Sequence, residues 1–447
     1  MSKADTRARP APTSAIDLLA APWYQGYVLA VLFLGYVVNV MDRSVLAVLL
    51  ESIKHTFGAS DTLIGLLSGL PFALFYSTLG IPFAMWADRW SRRSVLALAV
   101  GLWSVMTALC GAAGSFLTLL LARVGTAVGE AGGTPPSHAL ISDYYPIGRR
   151  ATALSIYALG VPCGAMLGSF LGGLGNDLYG WRVTFALIGV PGVLVALLVR
   201  FTVLEPQRGH ADGIAHPTRA SDAPSISAVL AFLWERRSLR NLSLAAGLHS
   251  VVWYAGSNLN ATFFIRSHHM TAAQAGGWTA LYSAISAIGT FVGGYVADRL
   301  SVRRGDRRWY LWLPGIATLA MVPFQFLSYL SSSLAVVIPS FCVMMVLASF
   351  FFGPSFAMTQ ALATFRMRAV ATSILLLVQT LIGQGIGPTL AGVTSDLLKP
   401  SAGSDSLRYG LVLVGLVNVW AAAHYFRGAR TLRQDLVSTE RVQGAGA

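Results

Sequence analysis

The sequence predicts an all-α polytopic membrane protein with twelve transmembrane helices in two pseudo-symmetric six-helix bundles. Of its 447 residues, 55% are hydrophobic and only 11% are charged, whereas soluble domains carry about 25% charged residues. Apolar stretches of about 20 residues, the length needed to cross a bilayer, recur along nearly the whole chain. One polar signature also occurs twice, once in each half, which indicates an internal repeat.

The apolar stretches define twelve spans. Those of the first half are 25–50, 61–87, 94–113, 116–140, 150–174 and 182–204. Those of the second half are 241–266, 274–297, 309–330, 333–361, 369–396 and 407–427. The polar, proline-containing segment 205–240 is predicted to be a cytoplasmic linker between a first bundle, 1–204, and a second, 241–447. Residues 1–22 lack the features of a cleaved signal peptide, so the first span is expected to remain in the mature protein.

The basic residues predict the orientation of the chain. By this map, most of the 32 lysines and arginines lie on the side of both termini, so the positive-inside rule predicts that both termini are cytoplasmic. Membrane orientation explains the net charge of +13, and nucleic acid is not expected as a partner. Arginine far outnumbers lysine, and alanine and glycine are abundant, which indicates a bacterial source. We therefore expect a multi-pass, monomeric protein of the bacterial inner (plasma) membrane.

The sequence carries no motif of catalysis or of cofactor binding. It has no nucleophile elbow, no His-Glu-x-x-His and no phosphate-binding loop. The three cysteines have neither paired nor metal-ligand spacing. We therefore expect no enzymatic activity, no cofactor and no metal, and the lack of a nucleotide-binding domain argues against ATP-driven transport.

The repeated signature lies after the second and eighth spans. It reads Ala84-Met-Trp-Ala-Asp88-Arg89-Trp-Ser-Arg92-Arg93 and then Gly294-Tyr-Val-Ala-Asp298-Arg299-Leu-Ser-Val-Arg303-Arg304. Both copies resemble the loop motif Gly-x-x-x-Asp-Arg-x-Gly-Arg-Arg of the major facilitator superfamily, with Ala84 and Ser91 in place of the two glycines. The resemblance covers the whole chain and implies secondary transport by alternating access. An Asp here can face the positive N-terminal end of a neighbouring helix. We therefore expect a gate that latches the cytoplasmic side, formed by Asp88, Arg89, Arg92, Arg93, Asp298 and Arg299.

Three further segments resemble the spinster family within that superfamily. They are Asn39-Val-Met-Asp42-Arg43, Arg123-Val-Gly-Thr-Ala-Val-Gly-Glu130-Ala, and Pro162 with its surrounding glycines. Gly160, Gly164, Gly168 and Gly172 recur every four residues, which predicts a bare helix face for close packing that permits rocking. Organic-anion symporters share similar segments, so the resemblance leaves two substrate classes open.

Four formal charges, Asp42, Arg43, Arg123 and Glu130, lie well inside the predicted spans, all in the first half. Each costs about 2.5 to 3.5 kcal/mol at a helix centre if unpaired. Asp42 and Arg123 are predicted at similar depth, and Glu130 lies two helical turns from Arg123, within reach of Arg43. Protonating one carboxylate would free an arginine, which makes the group a workable switch. The alternative is a static ion-pair cluster. The spinster resemblance implies that Asp42 and Glu130 carry protonation, and our hypothesis is that Asp42 is the main proton acceptor.

The predicted substrate site combines these charges with uncharged side chains of the second half. Its candidates are Arg123, Trp253, Tyr254, Asn258, Phe263, Gln379 and Gln384. An amphiphile would place its head near Arg123 or Arg43 and its tail along the apolar second half. Together with the spinster resemblance, this predicts a proton-coupled transporter of a lysophospholipid or sphingoid lipid. The alternatives are an organic-anion/proton symporter and a non-transporting membrane receptor on the same fold.

Overall fold

A computed structural model of the chain describes residues 18–19, 21–208, 210–212, 231–232, 234–364 and 367–445. In these ranges the chain is almost entirely helical and contains no β-strand. Most of the predicted linker, 205–240, lies outside the described residues. The described part of the linker includes one 3-10 turn, His210–Asp212.

Within the described residues, the first half contains eight helices that make six crossings. They are α1 (Pro22–Phe57), α2 (Asp61–Ser68), α3 (Leu70–Arg89), α4 (Arg92–Gly111), α5 (Phe116–Ala131), α6 (Thr134–Tyr144), α7 (Ile147–Ala158) and α8 (Gly160–Thr202). The second and fourth crossings are each broken at glycine, at Gly69 and at Gly132–Gly133. Helix α8 holds both the end of the fifth crossing and all of the sixth. The chain reverses at Gly180, whose φ of 75° is a conformation that glycine adopts without strain.

The second half repeats the six crossings. Its helices are α9 (Arg237–His268), α10 (Ala272–Arg304), α11 (Trp309–Leu330), α12 (Leu334–Ser349), α13 (Phe352–Leu362), α14 (Arg368–Val378), α15 (Gly385–Ala402), α16 (Ser406–Gly415) and α17 (Val417–Ala445). A π-helical segment, Gln379–Gln384, joins α14 to α15 within the eleventh crossing. By length and hydropathy alone, eight stretches of the described chain qualify as spans. Two of these stretches hold two crossings each. The fourth and seventh crossings are not among the eight, and both carry polar residues.

The two halves meet at the end of the bundle opposite the termini, which we call the far end. There α2 packs on α15, α8 packs on α10, and α1 packs on α9. Toward the termini, the main contacts of α7 and α14 are with helices of their own halves or with the π segment. The halves therefore enclose a cleft that is closed at the far end and open toward the termini.

The glycine ladder of the fifth crossing packs within the first half. A Cβ added at Gly164 would lie 2.4 Å from the carbonyl oxygen of Val37, and one added at Gly168 would lie 2.5 Å from that of Met41. The bare face therefore brings α8 against α1, its own neighbour. The contact between halves uses the next face of α8, where Gly173 meets Ala272. The predicted close approach is present, but it joins helices that belong to one bundle.

Candidate functional site

The first ion pair of the cleft joins α1 to α5. Arg123 Nη1 donates to Asp42 Oδ2 at 2.7 Å, and Thr107 of α4 donates to Asp42 Oδ1 at 2.8 Å. Asp42 and Arg123 are 1% and 2% exposed. A buried charge is tolerated only when it is paired and hydrogen-bonded, so this contact fixes three helices of the first half around one carboxylate.

The second ion pair joins the same two helices. Arg43 Nε donates to Glu130 Oε2 at 2.5 Å. The Glu130 side chain is fully buried, whereas 25% of the Arg43 side chain is exposed. The Arg43 guanidinium also lies over two rings of α3, 4.9 Å from the centre of Phe72 and 4.4 Å from that of Tyr76, a favourable cation–π geometry. These two aromatic residues were not predicted as site residues, because nothing in the sequence distinguishes them from lipid-facing aromatics.

Both pairs leave polar atoms without a protein partner. Among the described residues, Arg43 Nη2, Arg123 Nε and Glu130 Oε1 are buried and accept or donate no hydrogen bond. Buried polar groups are normally satisfied. Three unsatisfied atoms within one cluster therefore indicate a place where water, a proton or a ligand group is accommodated.

The second half contributes uncharged polar groups from α9 and the π segment. Gln379 and Gln384 are 4% and 5% exposed, and Gln379 Nε2 and Gln384 Oε1 have no partner among the described residues. Tyr254 of α9 is half-buried and lies beside Thr380 of the π segment. Because π turns occur often at functional sites, this wall of the cleft is a reasonable place for substrate contacts.

Two of the substrate candidates, Phe263 and Arg123, are enclosed in this conformation. Phe263 is fully buried in an aromatic cluster with Phe264, Tyr329 and Phe341, so it does not line the cleft. Arg123 is enclosed behind its pair with Asp42, which leaves Arg43 as the arginine that faces the cleft. The amide of Asn258 already donates to the Tyr254 carbonyl at 2.8 Å. Trp253 is half-buried and packs edge-on against Phe352.

The described contacts of the repeated loop signature lie within its own half. In the first copy, Arg92 pairs with Asp143, and Arg93 Nη1 donates to the Val203 carbonyl at 3.1 Å. The Glu205 carboxylate accepts from the backbone N–H groups of Arg92 and Arg93, both at 2.8 Å, and so caps α4.

The remaining gate residues follow the same rule. In the second copy, Asp298 accepts from the Tyr310 hydroxyl at 2.5 Å, and Arg299 bonds the Tyr295 hydroxyl. Arg89 is exposed, and the side chain of Asp88 lies outside the described residues. The predicted latch between halves on this side stays a prediction for a conformation in which this side is closed.

A second charged group, missed by the sequence analysis, closes the far end. We call it the far-end cluster. It comprises Glu51 and Lys54 of α1, Asp61 of α2, Arg266 of α9 and Ser395 of α15. Arg266 donates to Glu51 at 2.7 Å and to both oxygens of Asp61 at 2.9 and 2.8 Å. Lys54 and Ser395 also bond Asp61, at 2.5 and 2.6 Å. One arginine of the second half therefore binds two acids of the first.

A twelve-crossing helical bundle with two halves around a cleft that is closed at one end defines a multi-pass transporter fold. The family model of the Major Facilitator Superfamily matches residues 32–432, so the chain belongs to that superfamily. A solved bacterial homologue of the human lysosomal transporter Spinster, in an inward-facing and unoccupied conformation, superposes with a TM-score of 0.85. It is 34% identical, and the match covers 93% of this chain and 99% of that one. The predicted fold class and the spinster resemblance are confirmed.

Other relatives differ in what their names say they carry. The chain is 31% identical to an MFS-type efflux pump of Mycolicibacterium smegmatis, over 96% of this chain and 100% of the pump. It is 26% identical to the sphingosine-1-phosphate transporter SPNS2 of Danio rerio, over 91% and 84% of the two chains. It is also 26% identical to a probable L-galactonate transporter of Escherichia coli, over 66% and 69%.

Proposed function

We propose that this protein is a proton-coupled secondary transporter that moves an amphiphilic lipid, such as a lysophospholipid or a sphingoid lipid, by alternating access. One observation carries the proposal: two buried acid–arginine pairs join α1 to α5 inside a cleft that is open at one end. Ionisable groups within a membrane bundle mark substrate or proton pathways by default. The names of the spinster relatives support the lipid class.

The two ion pairs have different roles: the Asp42–Arg123 pair responds to protonation, and the Arg43–Glu130 pair binds substrate. Asp42 is enclosed and holds Arg123, so protonating Asp42 weakens one of the two ion pairs that join α1 to α5. Arg43 is the partly exposed cation and keeps one N–H group free, so it binds an anionic head group. That head group competes with Glu130 for Arg43, and the displaced carboxylate then takes up a proton. The half-buried Trp253 and Tyr254 lie on the opposite wall for the apolar part.

The test uses purified protein in proteoliposomes with an imposed pH gradient. Wild type is expected to move a fluorescent lysophospholipid faster with the gradient than without it, and Asp42→Asn to lose that acceleration. Asp405→Asn is the matched control, because in the described part of the chain the Asp405 side chain bonds Arg408 and Ser267, both of its own half. Acceleration by the gradient that survives in Asp42→Asn would remove Asp42 from proton coupling, and Glu130→Gln would then be the variant to measure.

The alternative substrate is a small organic anion. The unpartnered amides of Gln379 and Gln384 favour it, since they would bond the hydroxyl groups of a sugar acid, and one relative is named as an L-galactonate transporter. Thermal unfolding with a panel of lysolipids and small carboxylates separates the two classes. Stabilisation by carboxylates alone would overturn the lipid assignment, and binding without flux for every compound would favour a receptor.

The orientation and location are part of the same proposal. We place both termini in the cytoplasm of a bacterial cell and the chain in its inner membrane, as the positive-inside rule predicts. Cys110, Cys163 and Cys342 are the only cysteines of the chain. In a variant without them, a single cysteine at the exposed Ser404 of the far end should react with a membrane-impermeant thiol reagent on whole cells. Protection of that cysteine until the cells are lysed would reverse the orientation.

A further inference from the structure

Each half supplies an aspartate that caps a helix of the other half at the far end. Asp177, at the end of the fifth crossing, accepts from the backbone N–H groups of Ala272 and Ala273 at 3.1 and 2.9 Å. Asp396, late in the eleventh crossing, accepts from those of Asp61 and Thr62 at 3.0 and 2.8 Å. The capped helices are α10 and α2, which begin the eighth and second crossings.

The two caps share a short sequence pattern. Asp177 follows Gly173 by four residues, and Asp396 follows Gly392 by four residues. A Cβ added at either glycine would lie 2.2 Å from a carbonyl oxygen of the capped helix, that of Ala272 or that of Asp61. The glycine therefore allows the backbones to touch, and the aspartate one turn later reaches the free N–H groups. The two contacts are related by the pseudo-symmetry of the halves, because the fifth crossing corresponds to the eleventh and the second to the eighth.

The N-cap residues of α2 and α10 do not bond these N–H groups. Ser60 accepts from the third N–H of α2, and Thr271 accepts from the third N–H of α10, both at 3.2 Å. The first and second N–H groups have no partner within their own helix, and in each case they are the groups that bond the aspartate of the other half. An acid at this position also faces the positive end of the helix dipole. Separation of the halves at the far end would break both caps.

We propose that Gly173 with Asp177 and Gly392 with Asp396 form a paired latch that holds the far end closed. The α8–α10 contact contains none of the far-end cluster residues, whereas the α15–α2 contact uses the backbone of Asp61, whose side chain belongs to that cluster. In the paired latch, an aspartate of each half faces the N-terminal end of a helix of the other half at the far end. The loop signature predicts the same kind of contact on the side of the termini. The proposal concerns the conformational equilibrium alone and does not depend on which substrate or ion is moved.

The experiment measures far-end opening in the full chain without substrate or pH gradient. Spin labels are placed at Gly114 and Ser404, which are exposed loop positions in opposite halves, in a variant without the three native cysteines. An N-cap aspartate replaced by alanine costs about 1 kcal/mol, so Asp177→Ala should raise the ratio of long to short distances about fivefold. Asp396→Ala should raise it by at least as much, because Asp396 also accepts from the Thr62 hydroxyl at 2.7 Å. The two sites share no partner, so the double variant should show about the product of the two factors.

Three further variants complete the test. Asp405, an acid at the same end, bonds Arg408 and Ser267 of its own half among the described residues, so Asp405→Ala should leave the distance distribution unchanged. Asp177→Asn and Asp396→Asn keep one acceptor oxygen, so they should give smaller shifts than alanine and remain measurable if an alanine variant does not fold. Distance distributions of the alanine and asparagine variants that match the Asp405→Ala control would overturn the proposal.

Discussion

Gly276 and Gly277 are neighbours on α10, and only one of them touches the other half. A Cβ added at Gly276 would lie 2.3 Å from the carbonyl oxygen of Ser169 on α8, whereas one added at Gly277 would meet nothing within 4 Å. A carbon and a carbonyl oxygen approach to about 3.3 Å without repulsion, so Gly276→Ala requires α8 and α10 to separate by about 1 Å. The substitution at Gly277 requires no movement.

The size of the effect follows from that separation. The bond from Ala273 N to Asp177, 2.9 Å long, would stretch to roughly 4 Å, beyond hydrogen-bond range. Losing the cap costs about 1 kcal/mol, and overpacking the contact costs about 1 to 3 kcal/mol more. Together they disfavour the closed far end by about 2 to 4 kcal/mol, a factor of roughly 30 to several hundred.

Distance distributions between spin labels on the two sides of the far end measure this shift. Gly276→Ala should move most molecules to the long distance, and Gly277→Ala should resemble wild type. Both substitutions favour the helix itself by about 0.5 to 1 kcal/mol, so a difference between them reports the contact with α8. Indistinguishable distributions for the two variants would show that α8 and α10 are not in backbone contact in the resting protein.

Three other predictions concern charged groups. Asp42→Asn leaves Arg123 buried without a countercharge and should cost about 3 to 5 kcal/mol of stability. In thermal unfolding, the double variant with Asp42→Asn and Arg123→Gln should regain much of that loss. A double variant no more stable than Asp42→Asn alone would argue against the ion pair between Asp42 and Arg123. Arg266→Met leaves two acids facing each other in the far-end cluster. Removing one partner of a buried ion pair costs more than about 1.4 kcal/mol, the equivalent of a tenfold change, so a cysteine introduced there should react with a thiol reagent about tenfold faster or more. Arg408→Met, whose partner is Asp405 of the same half, serves as the control. Hydrogen bonds from Arg308 and Arg433 lower the pKa of Asp306 to about 2. The contacts of Asp306 are therefore intact above about pH 4, the usual Asp pKa, and are lost as the pH falls toward 2. Amide exchange in the connection between α10 and α11, relative to an unstructured peptide, should rise over that interval, and a flat profile would contradict this prediction.

The sequence predicted the crossings and the inner charges because both carry a large energetic signal. An apolar stretch long enough to cross the bilayer has few other stable environments. A charge in the middle of such a stretch must be paired, which pointed to Asp42 with Arg123 and to Arg43 with Glu130. The far-end cluster gives no such signal. Arg266 and Asp61 lie at span ends, where charges are expected to face water, so only the structure shows them enclosed.

Aromatic side chains of the seventh crossing were harder to place. Phe263 and Trp253 both lie on α9, and their types fit a cleft wall and a packed core equally well. The structure puts Phe263 in the aromatic core and leaves Trp253 half-buried. The glycine ladder predicted a close approach of backbones, but a row of glycines carries no information about which helix approaches it.

The reversal at Gly180 has a mechanical consequence. No loop separates the fifth crossing from the sixth, so there is no slack to absorb a displacement of one relative to the other. Just past the reversal, Trp181 donates to Thr56 at the end of α1, and Arg182 donates to the Ala113 carbonyl after α4. A tilt that separates the fifth crossing from α10 therefore also moves the sixth crossing and the far ends of α1 and α4. The first half then moves as one rigid body, and the turn at Gly180 limits how far its helices can move relative to one another.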